Sequence, residues 1–237
     1  SHQRHTLTTM NPLHDIIALL LPRKCHVCKC HLARHEQHVC QRCLSQLPTT
    51  HYHRITLNPM EQRFAGIVKF RKATAMYIYT RDSGVATIIQ DFKYKGFPSL
   101  ARFMGRTMAE QLLTTGFFND IDLIIPVPLH FTKHAKRGYN QSHMLAKGIS
   151  SVIDRPVSTI LYASKSHSTQ TSKDHYQRWQ NTRDIFSVRH PDELKGRHIL
   201  LVDDVCTTGA TLIAAAQAVL RIPDTQVSIL TLAATPQ

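Results

Sequence analysis

Residues 199–211 read ILLVDDVCTTGAT, in which four apolar residues run into two acids and then into a Thr-Thr-Gly-Ala-Thr turn. Backbone amides at a helix start, with small hydroxyl residues and a glycine that permits close approach, make an anion site. Two carboxylates just upstream are poor neighbours for a phosphate but good acceptors for vicinal sugar hydroxyls. The order therefore describes a pocket for a ribose 5-phosphate, with Asp203 and Asp204 on the 2- and 3-hydroxyls and the amides of 205–211 on the phosphate. There is no G-x-x-x-x-G-K and no G-x-G-x-x-G here, and an Asp-x-Asp phosphotransfer signature would need an acid at Val205. An acidic N-cap followed by Thr capping is the plainer alternative, but it leaves the order of the whole stretch unexplained.

Cysteine spacing marks a second kind of chemistry. Cys25 and Cys28 form one C-x2-C and Cys40 and Cys43 another, with eleven residues between the pairs. Each pair can aim two thiolates at one tetrahedral zinc, with the intervening residues as a short loop. Two disulfides are the alternative, without an export signal to support them. Four cysteines leave zinc no open position, so the metal is expected to hold the fold. Cys30 and His31, just past the first knuckle, could serve as substitute ligands but read rather as bystanders.

These groups need elements to position them. Residues 73–80 predict a strand and 85–94 a short helix, broken at Lys95-Gly96-Phe97-Pro98. Leu100, Phe103, Met104, Met108 and Leu112 give 99–115 one helical stripe. Further strands are expected at 121–127, 157–163, 198–203 and 227–233. Two helices fall between them, one carrying Leu145, Ile149 and Val152 and one carrying Leu212, Ala216 and Val219. Continuous apolar runs such as Ile199–Val202 fit strands covered on both faces. Strand-helix alternation implies a parallel α/β sheet with ligands at the carboxyl ends of its strands. The expected division is a zinc module over 1–50, a polar connector over 51–60 and the α/β domain over 61–237.

Composition bounds the class. The chain has 237 residues, 42% hydrophobic and 19% charged, with a formal net charge of +13. That is a globular chain, long enough to bury a core without a disulfide scaffold. The longest apolar run, Ile16–Leu21, is far short of the roughly 20 residues a membrane span needs. Pro12, His14 and Asp15 break the N-terminal apolar stretch, so no signal peptide is read and the expected location is the cytoplasm. Charge of +5 on residues 1–60 and +8 on the rest favours a polyanionic partner, a nucleic acid or a phosphorylated metabolite, or else simply makes a basic, soluble surface.

The 199–211 stretch resembles the phosphoribosyl-pyrophosphate loop of type I phosphoribosyltransferases. With the two knuckles and the segments Phe92–Gly96, Ile125–Leu129, Arg137–Ser142, Thr169–Thr171, Arg178 and Asn181, the chain resembles the ComF family of competence-associated proteins. The resemblance implies a type I phosphoribosyltransferase-like parallel sheet flanked by helices, behind a small zinc-ribbon-like module. It also implies phosphoribosyl pyrophosphate as ligand, with magnesium, contacted by Lys93, Tyr94, Lys95 and Gly96. The loop itself supplies Asp203, Asp204, Val205, Cys206, Thr207, Thr208, Gly209, Ala210 and Thr211. Asp203 and Asp204 are the catalytic pair of that reading, and Cys206 reads as filler. Arg137, Asn140, Gln141 and Arg178 are candidate substrate contacts, although Arg137, Asn140 and Gln141 could equally cap and pair a helix start. The polar stretch 164–183, with the sole tryptophan Trp179, fits a hood over the reacting centre or a surface hairpin.

Two functions follow. One is transfer of a phosphoribosyl group to a nitrogen acceptor that the sequence does not specify, linked to DNA uptake or nucleotide metabolism. The other is a non-catalytic binding protein that engages single-stranded DNA or a helicase-type competence partner through its basic surface and the aromatic Tyr52, Tyr176 and Trp179.

Overall fold

A computed structural model describes residues 23–129, 138–163 and 185–236. The chain divides into two compact units, Ser1–Gln46 and Leu47–Gln237.

The first unit has almost no apolar interior. Among its described residues only Cys25, Val39 and Cys43 are buried apolar side chains. Its order comes from backbone closure around the cysteines. Cys25 N–H donates to the Cys30 carbonyl at 2.8 Å, and Lys29 N–H donates back to Cys25 at 3.0 Å. The Glu36 carboxylate accepts from Ala33 N–H at 2.8 Å and from Gln41 N–H at 2.7 Å, and these donors hold it below the usual carboxylate range. Cys40 caps the short helix α1, Gln41–Ser45, accepting from Cys43 N–H through its sulfur.

The second unit is built on four parallel strands. They are β1 (Ala73–Ile78), β2 (Leu123–Pro126), β5 (His198–Cys206) and β6 (Gln226–Ala234), in the spatial order β1-β6-β5-β2. Ile199, Leu200, Leu201 and Val202 are all fully buried, so β5 is covered on both faces as its apolar run requires. Helices α3 (Gly84–Tyr94), α4 (Pro98–Leu112), α5 (Gln141–Ile153) and α6 (Ala210–Leu220) connect and flank the sheet. Ser83 caps α3, Pro98 opens α4 at its first turn, and Asn140 caps α5. Helices α4 and α5 touch backbone to backbone. A Cβ added at Gly105 would stand 2.1 Å from the Leu145 carbonyl oxygen, and one at Gly148 would stand 2.1 Å from that of Arg102. Only glycine allows this approach.

Two stretches differ from their sequence reading. The strand expected over 157–163 is divided: Val157 bridges Ile124 in parallel at the sheet edge, and only Leu161–Ala163 forms a strand, β3. Between them Ser158 turns the chain, its hydroxyl accepting from Ile160 N–H at 3.3 Å. β3 then pairs antiparallel with β4, Phe186–Val188, a strand too short to read in the sequence. The stretch expected to tether two domains is packed instead. Ile78 N–H donates to Pro48 and Thr50 N–H to Met76, which lays 48–50 along β1. Asn58 and Glu61 close a capping box on the one-turn helix α2, Pro59–Gln62, while Met60 and Phe64 are wholly buried.

Candidate functional site

The acids stand at the carboxyl end of β5, where the sheet leaves a cavity of about 530 Å³. Asn140 places their neighbours. Its side chain accepts from Ser142 N–H at 2.9 Å and donates to the Val127 carbonyl at 3.0 Å, pinning the start of α5 to the end of β2. The first turn of α5 therefore faces β5. Ser142 Oγ donates to Asp203 Oδ1 at 2.8 Å, and Gln141 Nε2 donates to Asp204 Oδ2 at 2.7 Å. Lys93, from the last turn of α3, pairs with Asp204 Oδ1 at 2.9 Å. The Tyr139 hydroxyl donates to the Phe92 carbonyl, tying that turn to the α5 entrance.

Among the described residues, Lys93 is the cation paired with the two acids. Burial and the charge of Asp204 push the Asp203 carboxyl up to about 7, against the donors Asp204 N–H and Ser142 and the charge of Lys93. The carboxylate pair opens onto a cavity large enough for a sugar phosphate. Gln141 adds an unmet group: its Oε1 is buried without a hydrogen-bond partner, on a side chain that lines the cavity.

Past Cys206 the chain turns through Thr207, Thr208 and Gly209 into α6. Gly209 is the N-cap, in the left-handed region at φ 84°, and no side chain caps the helix. Thr208 Oγ1 accepts from Ala210 N–H at 3.4 Å, and a helix start without an N-cap side chain is otherwise suited to an anion. The φ favours glycine there, and a Cβ at Gly209 would press on the Phe64 ring at 3.1 Å.

In the first unit the four sulfurs of Cys25, Cys28, Cys40 and Cys43 all lie within 4.8 Å of one another. Thiolates around one tetrahedral ion at about 2.3 Å stand about 3.8 Å apart, and Cys28 Sγ and Cys40 Sγ are 3.8 Å apart. Val27 and Cys40 amides donate to Cys25 Sγ at 3.4 and 3.3 Å, as they would to a thiolate. A bond from the Cys30 backbone lowers the Cys28 thiol to about 6, while burial raises that of Cys43. The donor set fits a single soft, tetrahedral cation. Cys30 is outside the cluster, its carbonyl closing the knuckle.

The phosphoribosyl transferase domain model matches residues 105–237, more than half of the chain. The chain belongs to that family, in its ComF branch. A DNA utilization protein YhgH of Escherichia coli O6:H1 is 29% identical over 207 residues, covering 83% of this chain and 84% of its own. Competence protein F of Haemophilus influenzae is 32% identical over 133 residues, 54% of this chain and 58% of its own. Competence protein ComFC of Bacillus subtilis is 24% identical over 197 residues, covering 83% and 78%.

The cavity of this ComF-family chain gathers part of the residue set expected from the sequence. Lys93, Tyr94, Gln141, Asp203, Asp204, Val205, Thr207 and Thr211 line it. Lys95 and Gly96 do not: Lys95 turns back to pair with Asp91 Oδ1 at 2.7 Å, and Gly96 ends α3 in a left-handed turn. Cys206 is buried behind the loop, and burial raises its thiol. Asn140 acts as cap, and Thr208, Gly209 and Ala210 shape the turn without lining the cavity. Arg137, Arg178 and the stretch 164–183 with Trp179 fall outside the described residues. Sequence reasoning missed Ser142 as the donor to Asp203, although it ends the quoted segment Arg137–Ser142. It also missed Arg63, whose partners lie more than 140 positions away. No helix among the described residues is long and apolar enough to cross a membrane.

Proposed function

We propose that the second unit binds phosphoribosyl pyrophosphate with magnesium and transfers the phosphoribosyl group to a nitrogen nucleophile. The observation that carries this reading is the placing of Asp203 and Asp204, with the loop and helix start directly after them, on one cavity lined also by Thr207 and Thr211. Sugar hydroxyls donating to the acids would relieve the cost of the carboxylate pair, while the amides following Cys206 would take the 5-phosphate. As pyrophosphate leaves, the ribose ring gains positive charge, and the two carboxylates lie where that charge is stabilised. Magnesium, when bound with the ligand, supplies neutralisation of the leaving pyrophosphate. Two carboxylates alone are a sparse donor set, so the ion would be held largely by ligand oxygens. Lys93 would pair with Asp204, and Ser142 and Gln141 would fix both acids.

The first unit would hold one structural zinc through Cys25, Cys28, Cys40 and Cys43. With so few buried apolar residues, that binding would supply most of its folding free energy. The names of the relatives connect this chemistry to competence and DNA utilization. Together with a net charge of +13 they favour a second reading, direct binding of single-stranded DNA or of a helicase-type partner.

Calorimetry with phosphoribosyl pyrophosphate, with and without magnesium, tests the first reading. Magnesium-dependent micromolar binding, about 8 kcal/mol, is the expected result. Absence of binding, alongside steeply salt-dependent binding of single-stranded DNA, would favour the second.

A further inference from the structure

We infer that Arg63 is a positioning residue for the anion loop, turning its amides toward the cavity by holding its carbonyls from behind. The inference rests on the phosphoribosyl reading of that loop.

Arg63 is the C-cap residue of α2, in a stretch without motif value. Its Nη1 donates to the Cys206 carbonyl at 3.2 Å and to the Thr207 carbonyl, and reaches Thr235 Oγ1 at 3.4 Å. Nη2 donates to the Thr235 carbonyl. One guanidinium thus joins the ends of β5 and β6 through three main-chain oxygens. In a trans peptide the carbonyl and the following N–H point in opposite directions, and the chain has no cis bond among its described residues. Drawing the Cys206 and Thr207 carbonyls toward Arg63 therefore sends the Thr207 and Thr208 amides the other way. Thr207 and Thr211 line the cavity on that side. The neighbouring residue acts in the same sense, since the buried Phe64 ring backs the turn at Gly209. A planar fork with five donors can serve several acceptors at once; a lysine, with a point charge on a flexible stem, cannot hold them in one plane.

The test uses the full chain, with Arg63→Met to remove charge and donors while keeping the stem, and Arg63→Lys to keep the charge alone. Ribose 5-phosphate is titrated into each, and amide chemical shifts are recorded without ligand. Arg63→Met should bind about tenfold or more weakly, with shift changes confined to the neighbours of position 63, to 206–211 and to 235, and with Leu201 and Ile229 unmoved. Arg63→Lys should recover little of the loss. Unchanged affinity in Arg63→Met, full recovery in Arg63→Lys, or shift changes across the whole sheet would each overturn the inference. If the unaltered protein fails to bind ribose 5-phosphate, the phosphoribosyl reading falls, and the loop shifts still decide whether Arg63 orients these amides.

Discussion

Replacing Asp203 by Asn should stabilise the folded protein at pH 8, and by less at pH 5. The substitution keeps an Oδ1 acceptor for Ser142 Oγ and for Asp204 N–H, and removes one of two adjacent negative charges. The native carboxyl is pushed up to about 7 from its ordinary 3.8 by burial and by Asp204. Above pH 7 the ionised group therefore costs the folded state at most about 4 kcal/mol. That cost shrinks as the pH falls through 7, because the folded state then takes up a proton that the unfolded chain still lacks, and it vanishes below about 4. Between pH 8 and pH 5 the ceiling on the change is about 3 kcal/mol. Asp203 opens partly to solvent in the cavity, which trims the expected change to about 1–2 kcal/mol. Urea unfolding of both proteins at pH 8 and pH 5, followed by far-ultraviolet circular dichroism, reads it as the difference of two differences. Effects common to both chains cancel. A variant less stable than the parent at pH 8, or a gain independent of pH, would refute the picture of two acids held together at a cost. The same variant should bind phosphoribosyl pyrophosphate less tightly, since the charge that destabilises the empty site is what recognises the sugar.

Asp203→Asn with Asp204→Asn should weaken phosphoribosyl pyrophosphate binding on the order of a hundredfold with the fold intact; unchanged affinity by calorimetry would remove the ribose assignment. Lys93→Met takes away the cation at 2.9 Å from Asp204, and should raise the Asp203 carboxyl further above its ordinary value, as followed by carboxyl carbon chemical shifts; a pKa no higher than the parent's would put Lys93 elsewhere in solution. Cys40→Ser should reduce bound zinc from one per chain to none and unfold the first unit while the second keeps its own transition; a stoichiometry still at one would dismiss the four-cysteine site. Gly148→Ala sets a Cβ at 2.1 Å from the Arg102 carbonyl oxygen, and should cost about 2 kcal/mol or more by urea midpoint; an unmoved midpoint would mean that α4 and α5 lie further apart.

Which parts were readable follows from how local their causes are. The apolar run of β5, the acids behind it and the glycine at the helix start are neighbours in sequence, so residue order alone specifies strand, acid pair and turn. The cysteine knuckles are similar, because a two-residue spacer limits where the sulfurs can point. Stretch 51–60 misled for a different reason. It is polar and bounded by prolines, but Asn58 caps α2 and also donates to the Ala73 carbonyl at 3.0 Å, and that partner lies on another element. Lys95, basic and beside a glycine, pairs with Asp91 one turn back, a partner that its place in the motif does not announce.

The support of the acid pair was the least legible part, and its physics explains why. Besides the local Asp204 N–H, the partners of Asp203 and Asp204 arrive from elsewhere: Lys93 from α3, and Gln141 and Ser142 from α5. Each is an ordinary residue for a helix end, where lysine suits the last turn and polar side chains the first. Their second role exists only once the sheet order has brought β2, and with it the start of α5, beside β5. Arg63 carries the same lesson further, since its partners on β5 and after β6 become neighbours only when those strands pair. Acid pair, anion loop and helix starts are therefore one arrangement that the parallel sheet assembles. A substitution that moved β2 away from β5 would strip Asp203 and Asp204 of two donors at once without altering either acid.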